Sequence, residues 1–288
     1  LRYITAALGV IVLAISVPTT PASARQLVKR PSPEEQKKLG DQEAKQILKK
    51  YKEVLDARAT HFQEIGKRLV AALSDDDRKK WDFRFHVLDS EEINAFALPG
   101  GEMFMFTGLY KRMKTDDELA AVTGHEMTHV RKEHWAKAYV KAQERQLFGM
   151  GLIIITRGSR AAQVGASVFD TMVGTQYSRG EEDEADGGGF QNMVDAGYNP
   201  NGMLNMFDTL MKAAGNGGDR VTGDFLSDHP LTTTRIKHTQ ERIAKLGDGK
   251  VFPPLTPFDY VALAPPKPDK GEKDKTDKGD KTEATAKP

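Results

Sequence analysis

Thr115-Asp116-Asp117-Glu118-Leu119-Ala120-Ala121-Val122-Thr123-Gly124-His125-Glu126-Met127-Thr128-His129-Val130 carries both a helical pattern and a chemical motif, and the rest of the chain is read outward from it. A threonine followed by three acids is a helix start, because its hydroxyl can cap free backbone N–H groups and the acids suit the positive end of the dipole. Leu119, Val122, Met127 and Val130 continue the pattern. On such a helix His125 and His129 sit one turn apart on one face, so both imidazoles can reach one metal ion. Glu126 then lies beside a water activated by that metal. It can take the proton and pass it to a leaving amine. The competing reading is a surface pair of histidines with no metal, since H-E-x-x-H arises by chance in roughly one such chain in a hundred.

A catalytic metal of this kind needs a third protein ligand and an open position. The chain has no cysteine, which excludes thiolate ligands, a thiol nucleophile, disulfides and cysteine-linked lipid. The third ligand must come from the other histidines or from the acids. Ser178-Arg179-Gly180-Glu181-Glu182-Asp183-Glu184-Ala185-Asp186 is the densest acidic stretch near the motif. A charge run is by default a solvated face. Here Arg179 opens the run and Phe190, Met193 and Val194 close it, which argues for a packed helix. Glu182 and Asp186 share a face, so one could bind metal while the other accepts the free N–H of a ligating imidazole.

Around these motifs the periodicity predicts helix over Pro33 to Leu73, broken at Ser74-Asp75-Asp76-Asp77, and helices over Ser178 to Ala196, Asn201 to Ala214 and Thr232 to Leu246. Phe83 to Val87, Ile93 to Leu98 and Met103 to Thr107 read as strands, with a turn at Pro99-Gly100-Gly101. The fold class is α+β, mainly helical, with a small antiparallel β-sheet beside the active-site helix. Leu147 to Thr156 is an apolar run too short to cross a bilayer and reads as a buried or flap-like helix.

The two ends read differently. Arg2, the apolar run Ile4 to Val17 and Ala22-Ser23-Ala24 have the order of a signal peptide, residues 1–24, with an uncleaved membrane anchor as the alternative. Residues 264–288 are rich in Lys and acids and lack aromatic and branched aliphatic side chains, which predicts a disordered tail after a domain spanning 25–263. With 42 basic and 41 acidic residues the net charge is +1, so a strongly basic nucleic-acid binder is excluded. No nucleic-acid partner is expected.

His125 to His129, followed some fifty residues later by Ser178-Arg179 and Glu182, Glu184, Ala185 and Asp186, resembles peptidase family M48, which includes BepA-like, HtpX-like and Oma-type zinc proteases. Asn94 to Gly101, Thr107-Gly108-Leu109, Ala196 to Pro200, Asp228-His229-Pro230 and Arg235 fit the same resemblance, which covers about residues 35 to 246. The resemblance implies a zincin-like metalloprotease domain with one Zn2+, held by His125, His129 and Glu182, and Glu126 as general base. It implies that Asp186 orients a ligand histidine. It also implies that the strand at Asn94, Ala95 and Phe96 pairs with an extended substrate, reading mainly backbone. His229 would occupy the fourth metal position in a resting state or hydrogen-bond the oxyanion in a working one, and Arg235 would join the same site or pair with an acid.

Three consecutive glycines, Gly187 to Gly189, depart from the family pattern; either the helix bends there or another backbone packs close. His61, His86, His134 and His238 are expected to be ordinary, His86 at a surface or sheet edge and His134 turned away from the metal face. The expected function is an exported, periplasmic zinc metalloendopeptidase acting on unfolded or misassembled envelope proteins, with possible peripheral membrane association. TPR repeats and multiple membrane spans of some relatives have no counterpart in the pattern, so the expectation is a stand-alone soluble catalytic domain. The alternatives are a zinc-binding chaperone or assembly factor whose proteolysis is latent through His229, and an anchored scaffold without enzymatic activity.

Overall fold

The computed structural model describes residues 29–155, 176–215, 225–247 and 251–265. The expected signal peptide and nearly all of the charged tail lie outside these residues. The helix expected from Pro33 to Leu73 is two helices, α1 (Pro33–Lys50) and α2 (Ala57–Ala71), separated by the two-residue strand β1 (Glu53–Val54). Asp56 is the reason for the restart: its carboxylate accepts from the Arg58 N–H and caps α2. The Ser74-Asp75-Asp76-Asp77 stretch opens a short helix, α3 (Asp75–Lys80), rather than merely ending one. Ser74 caps it, three acids fill its first turn and three bases its last.

Strands β2 (Arg84–Leu88), β3 (Ala95–Ala97) and β4 (Glu102–Phe106) follow where the sequence predicts them, then the short helix α4 (Thr107–Tyr110). The sheet order is β1-β2-β4-β3. It is mixed rather than antiparallel throughout, because β2 and β4 run parallel while the two outer pairs are antiparallel. The tight turn through Gly100 and Gly101, both at positive φ, returns β4 beside β3, and a side chain at Gly101 would strike the Asp82 carbonyl at 2.6 Å. β4 is buried on both faces. Met103 and Met105 join the main core with Phe62, Leu69, Met127 and Phe207, whereas Phe104 and Phe106 meet Ile47, Phe96 and Trp135 on the other side.

The main core is built on α5 (Asp116–Arg131), capped by Thr115 and buried from Asp117 to Val130. A helix with no exposed stripe is surrounded on all sides. Its neighbours include α7 (Arg179–Asp195) and α8 (Asn201–Gly215), with α6 (His134–Ile155) continuing the chain after α5. The run at Leu147 to Thr156 continues α6 as far as Ile155; its side chains lie outside the described residues. α9 (Phe225–Asp228), α10 (Thr233–Lys245) and α11 (Tyr260–Leu263) are the remaining elements among the described residues. Among the described residues no helix is long and apolar enough to cross a membrane.

Candidate metal centre and active site

Gly188 and Gly189 explain how α5 and α7 bring their side chains to one point. Among the described residues α5 and α7 make the most extensive contact between helices, and they cross almost backbone to backbone. A Cβ at Gly189 would lie 2.7 Å from the His125 backbone nitrogen, and one at Gly188 would lie 2.5 Å from Thr128 Cγ2. Of the two explanations open to the sequence, the close approach of a second backbone is the one realised. α7 itself starts with a capping box, Ser178 and Glu181 satisfying each other's backbone N–H groups, so Glu182 falls in its first turn.

The crossing places His125, His129 and Glu182 in one buried group, joined by His229 from the loop after α9, with one ligand atom of each lying within 4.8 Å of all the others. His125 Nε2 and His129 Nε2 are 3.0 Å apart. Glu182 Oε2 and Oε1 lie 3.6 and 3.5 Å from these two nitrogens, respectively. His229 Nδ1 is 2.9 Å from Glu182 Oε1 and 3.3 Å from His125 Nε2. The Phe225 ring stacks on His229, with centroids 4.7 Å apart. Glu126 stands beside the group, its Oε1 3.5 Å from His229 Nε2.

The histidines are oriented from behind. Asp186 Oδ1 is 2.9 Å from His125 Nδ1, and the same carboxylate accepts two hydrogen bonds of 2.7 Å from the Arg235 guanidinium. Burial pushes the Asp186 carboxyl up, but the hydrogen bonds and charge of Arg235 and His125 outweigh it and hold it well below the usual range. Arg235 thereby pairs with an acid and also reaches the site itself, its Nη1 2.8 Å from Glu182 Oε2. Burial likewise raises Glu126, with His229, His125 and the Ala97 N–H drawing it part of the way back. His129 is pushed well down by burial and by its histidine neighbours. Burial works against protonating His229 too, yet Glu126 and Glu182 outweigh it and its pKa is raised.

These groups fit a divalent ion. Glu126 Oε1 is buried without a hydrogen-bond partner among the described residues, a costly arrangement for a carboxylate oxygen unless a cation or solvent meets it. The Nδ1 atoms of His125 and His129 are both engaged behind the rings, which leaves the Nε2 lone pairs turned inward. Three imidazole nitrogens and one carboxylate are a borderline-soft donor set.

A model of peptidase family M48 matches residues 56–243. The chain belongs to that family. It is 27% identical over 236 residues to the "Beta-barrel assembly-enhancing protease" of Yersinia pestis, covering 77% of this chain and 46% of the relative. It is 31% identical over 176 residues to "Mitochondrial metalloendopeptidase OMA1" of Saccharomyces cerevisiae, covering 60% of this chain and 50% of the relative. It is 26% identical over 221 residues to "Metalloprotease LoiP" of Escherichia coli (strain K12), covering 73% and 84% respectively. The chain thus spans less than half of the assembly-enhancing protease and most of LoiP.

The expected substrate strand lies at the sheet's edge, and its side chains are spent inward: Asn94, Ala95 and Phe96 are all buried, with the Phe96 ring stacked on Phe104. The bonds from Phe106 N–H to Asn94 O and from Leu98 N–H to Glu102 O fix the alternation. Ala95 and Ala97 therefore turn their backbone groups away from β4, while Asn94 and Phe96 use theirs within the sheet.

His134 is the residue that spacing misplaced. It is fully buried, with its Nδ1 2.8 Å from His129 Nδ1 and its Nε2 3.1 Å from Glu184 Oε2. An unbroken helix would turn His134 away from the metal face, but α5 ends at Arg131 and Glu133 adopts φ 54°, which swings His134 back behind His129. No residue type at 132–133 signals that turn. His86 is also not an ordinary surface residue: it bridges Glu53 and Glu102 across three strands, at 2.6 and 2.9 Å. His61 and His238 pair with Asp116 and Asp183 away from the metal group.

Proposed function

We propose that this chain is a zinc metalloendopeptidase in which His125, His129 and Glu182 hold the ion and Glu126 is the general base. One observation carries the reading: three imidazoles and a carboxylate converge in a buried group, with Glu126 beside them holding one carboxylate oxygen that has no hydrogen-bond partner among the described residues. Zinc suits that donor set, and three protein ligands with one exchangeable position are the arrangement of a catalytic site. When bound, the ion supplies Lewis acidity, which lowers the pKa of water and polarises a peptide carbonyl.

The chain's own residues do the rest. Glu126, raised by burial, accepts the proton of the attacking water and delivers it to the departing amine. Asp186 fixes the His125 ring so that Nε2 faces inward, and Arg235 keeps Asp186 ionised. An extended peptide adds to the edge of β3 through the Ala95 N–H and C=O and the Ala97 C=O, so recognition reads main chain rather than side chains. The Ala97 N–H also steadies Glu126, which ties the substrate edge to the base.

The export signal read in residues 1–24 and the name of the Yersinia pestis relative support a periplasmic enzyme acting on unfolded or misassembled envelope proteins. A second reading has its own support. His229 lies within reach of both Glu182 and Glu126, where it would fill the fourth metal position and make the chain a latent, chaperone-like factor.

Zinc content and casein cleavage, measured for the unaltered chain, Glu126→Gln and His229→Ala, test both. Peptidase function requires about one zinc per chain and cleavage that Glu126→Gln abolishes, by a factor of about 100 or more, while keeping the metal. Cleavage only by His229→Ala establishes the latent reading. A chain that takes up no zinc refutes both.

A further inference from the structure

We propose that His134 is a positioning residue for the metal site, the middle member of a Glu184–His134–His129 relay that fixes the tautomer of His129. The inference rests on the reading that His129 ligates metal through Nε2. If Nε2 offers its lone pair inward, toward His125 Nε2 and Glu182, then Nδ1 must carry the ring proton. That proton points at His134 Nδ1, 2.8 Å away, which must therefore accept. A neutral His134 accepting at Nδ1 carries its own proton on Nε2, and that N–H meets Glu184 Oε2 at 3.1 Å. Each of the two rings has one donor and one acceptor in use, and no proton is left without a partner.

The relay mirrors what Asp186 does for His125, with a histidine inserted between the carboxylate and the ligating ring. Its outer end is anchored at the surface, where Lys132 Nζ lies 3.0 Å from Glu184 Oε1 and Lys137 Nζ 3.9 Å from Oε2. Its inner end is sealed, since His134 is fully buried and Tyr177 stacks on His129 with ring centroids 4.1 Å apart. Glu182 and Glu184 lie two residues apart on α7, so one rigid helix presents the carboxylate ligand and the support for a histidine ligand together. Such supports behind ligating imidazoles set ring orientation and ligand basicity, and losing one typically costs 10–100-fold in metal affinity.

The test uses Zn2+ affinity, by competition against a chelating dye, and the visible absorption of the Co2+-loaded protein, for the unaltered chain, His134→Phe and His134→Asn. Phenylalanine keeps the ring volume without an acceptor, whereas the asparagine Oδ1 can occupy the place of Nδ1. The expected result is a loss of about 10–100-fold in Zn2+ affinity and an altered Co2+ band for His134→Phe, with most of both restored by His134→Asn. Unchanged affinity and spectrum in His134→Phe, or equal loss in the two variants alongside equally lowered melting of the metal-free proteins, overturns the proposal. If His134→Phe does not fold, Glu184→Leu decides. A shifted Co2+ band with weakened Zn2+ binding supports the relay, and behaviour like the unaltered chain overturns it. An unaltered chain that binds neither ion overturns the metal reading as well, whereas one that binds both while the variants match it overturns the relay alone.

Discussion

Asp186 has to satisfy two buried cations or donors at once, and that makes it the most exposed point in the site's electrostatics. Its carboxylate meets His125 Nδ1 on one side and the Arg235 fork on the other, with no solvent contact. Asp186→Asn keeps an oxygen for the imidazole N–H but removes the charge that balances Arg235, and half-broken buried pairs cost about 3–5 kcal/mol. Glu182, 2.8 Å from Arg235 Nη1, remains as a counter-charge, so the expected cost is about 3 kcal/mol. Urea denaturation of the metal-free protein checks this: the midpoint should fall with the slope unchanged. An unmoved midpoint would show that Arg235 does not depend on Asp186. The Glu182–Asp186 pairing was legible because i and i+4 positions share a helix face. His134 was not, because its role depends on a backbone turn at Glu133 that no residue type announces.

The crossing of α5 and α7 decides whether the ligands converge. Gly189→Ala puts a methyl group 2.7 Å from the His125 backbone nitrogen, and backbone cannot step aside as a flexible side chain can. Overpacking of this kind costs about 1–3 kcal/mol, here against whatever helix propensity the alanine adds. The expected result is lower thermal stability together with weakened zinc binding, read by melting with and without metal. Gly180→Ala is the control: nothing lies within 4 Å of its would-be Cβ, so it should leave zinc binding unchanged and raise stability, by up to about 1 kcal/mol of helix propensity. Equal behaviour of the two variants would mean that the glycines do not set the helix spacing. Helices α5, α7, α8 and α10 were legible from their period, and strand β2 from the alternation at Phe83 to Val87, whereas the first half of α6, before Leu147, was not. The break between α1 and α2 was hidden because apolar spacing runs on through Val54 and Leu55. The parallel β2–β4 pairing was hidden because alternation says which residues form a strand and nothing about its neighbour.

Stability of the whole molecule should respond to pH through the sheet and to metal through the helices. His86 lies between Glu53 and Glu102; burial lowers its pKa, but the two carboxylates outweigh it and the net shift is upward. Its stabilising contribution is therefore complete below the unfolded-state value of about 6.5 and is lost as pH rises through the higher folded value. His86→Gln should flatten the fall in stability above that pH in the metal-free protein, measured by urea titration at a series of pH values; an unchanged slope would remove His86 as its cause. Metal acts on a different part. The proposed ligands come from α5 and α7, segments far apart in sequence, so an ion held there binds the folded state and not the unfolded chain. With free zinc at a hundred times its dissociation constant the gain is about 2.7 kcal/mol. For a domain of this size that is about 5–10 °C in melting temperature. Chelator should therefore lower Tm by about that amount, and added zinc should restore it. Glu126→Gln should show the same zinc-dependent rise, because the proposed base is not a ligand, whereas Glu182→Gln should show a much smaller one. A Glu126→Gln variant that no longer responds to zinc would place Glu126 among the ligands and remove it as the base.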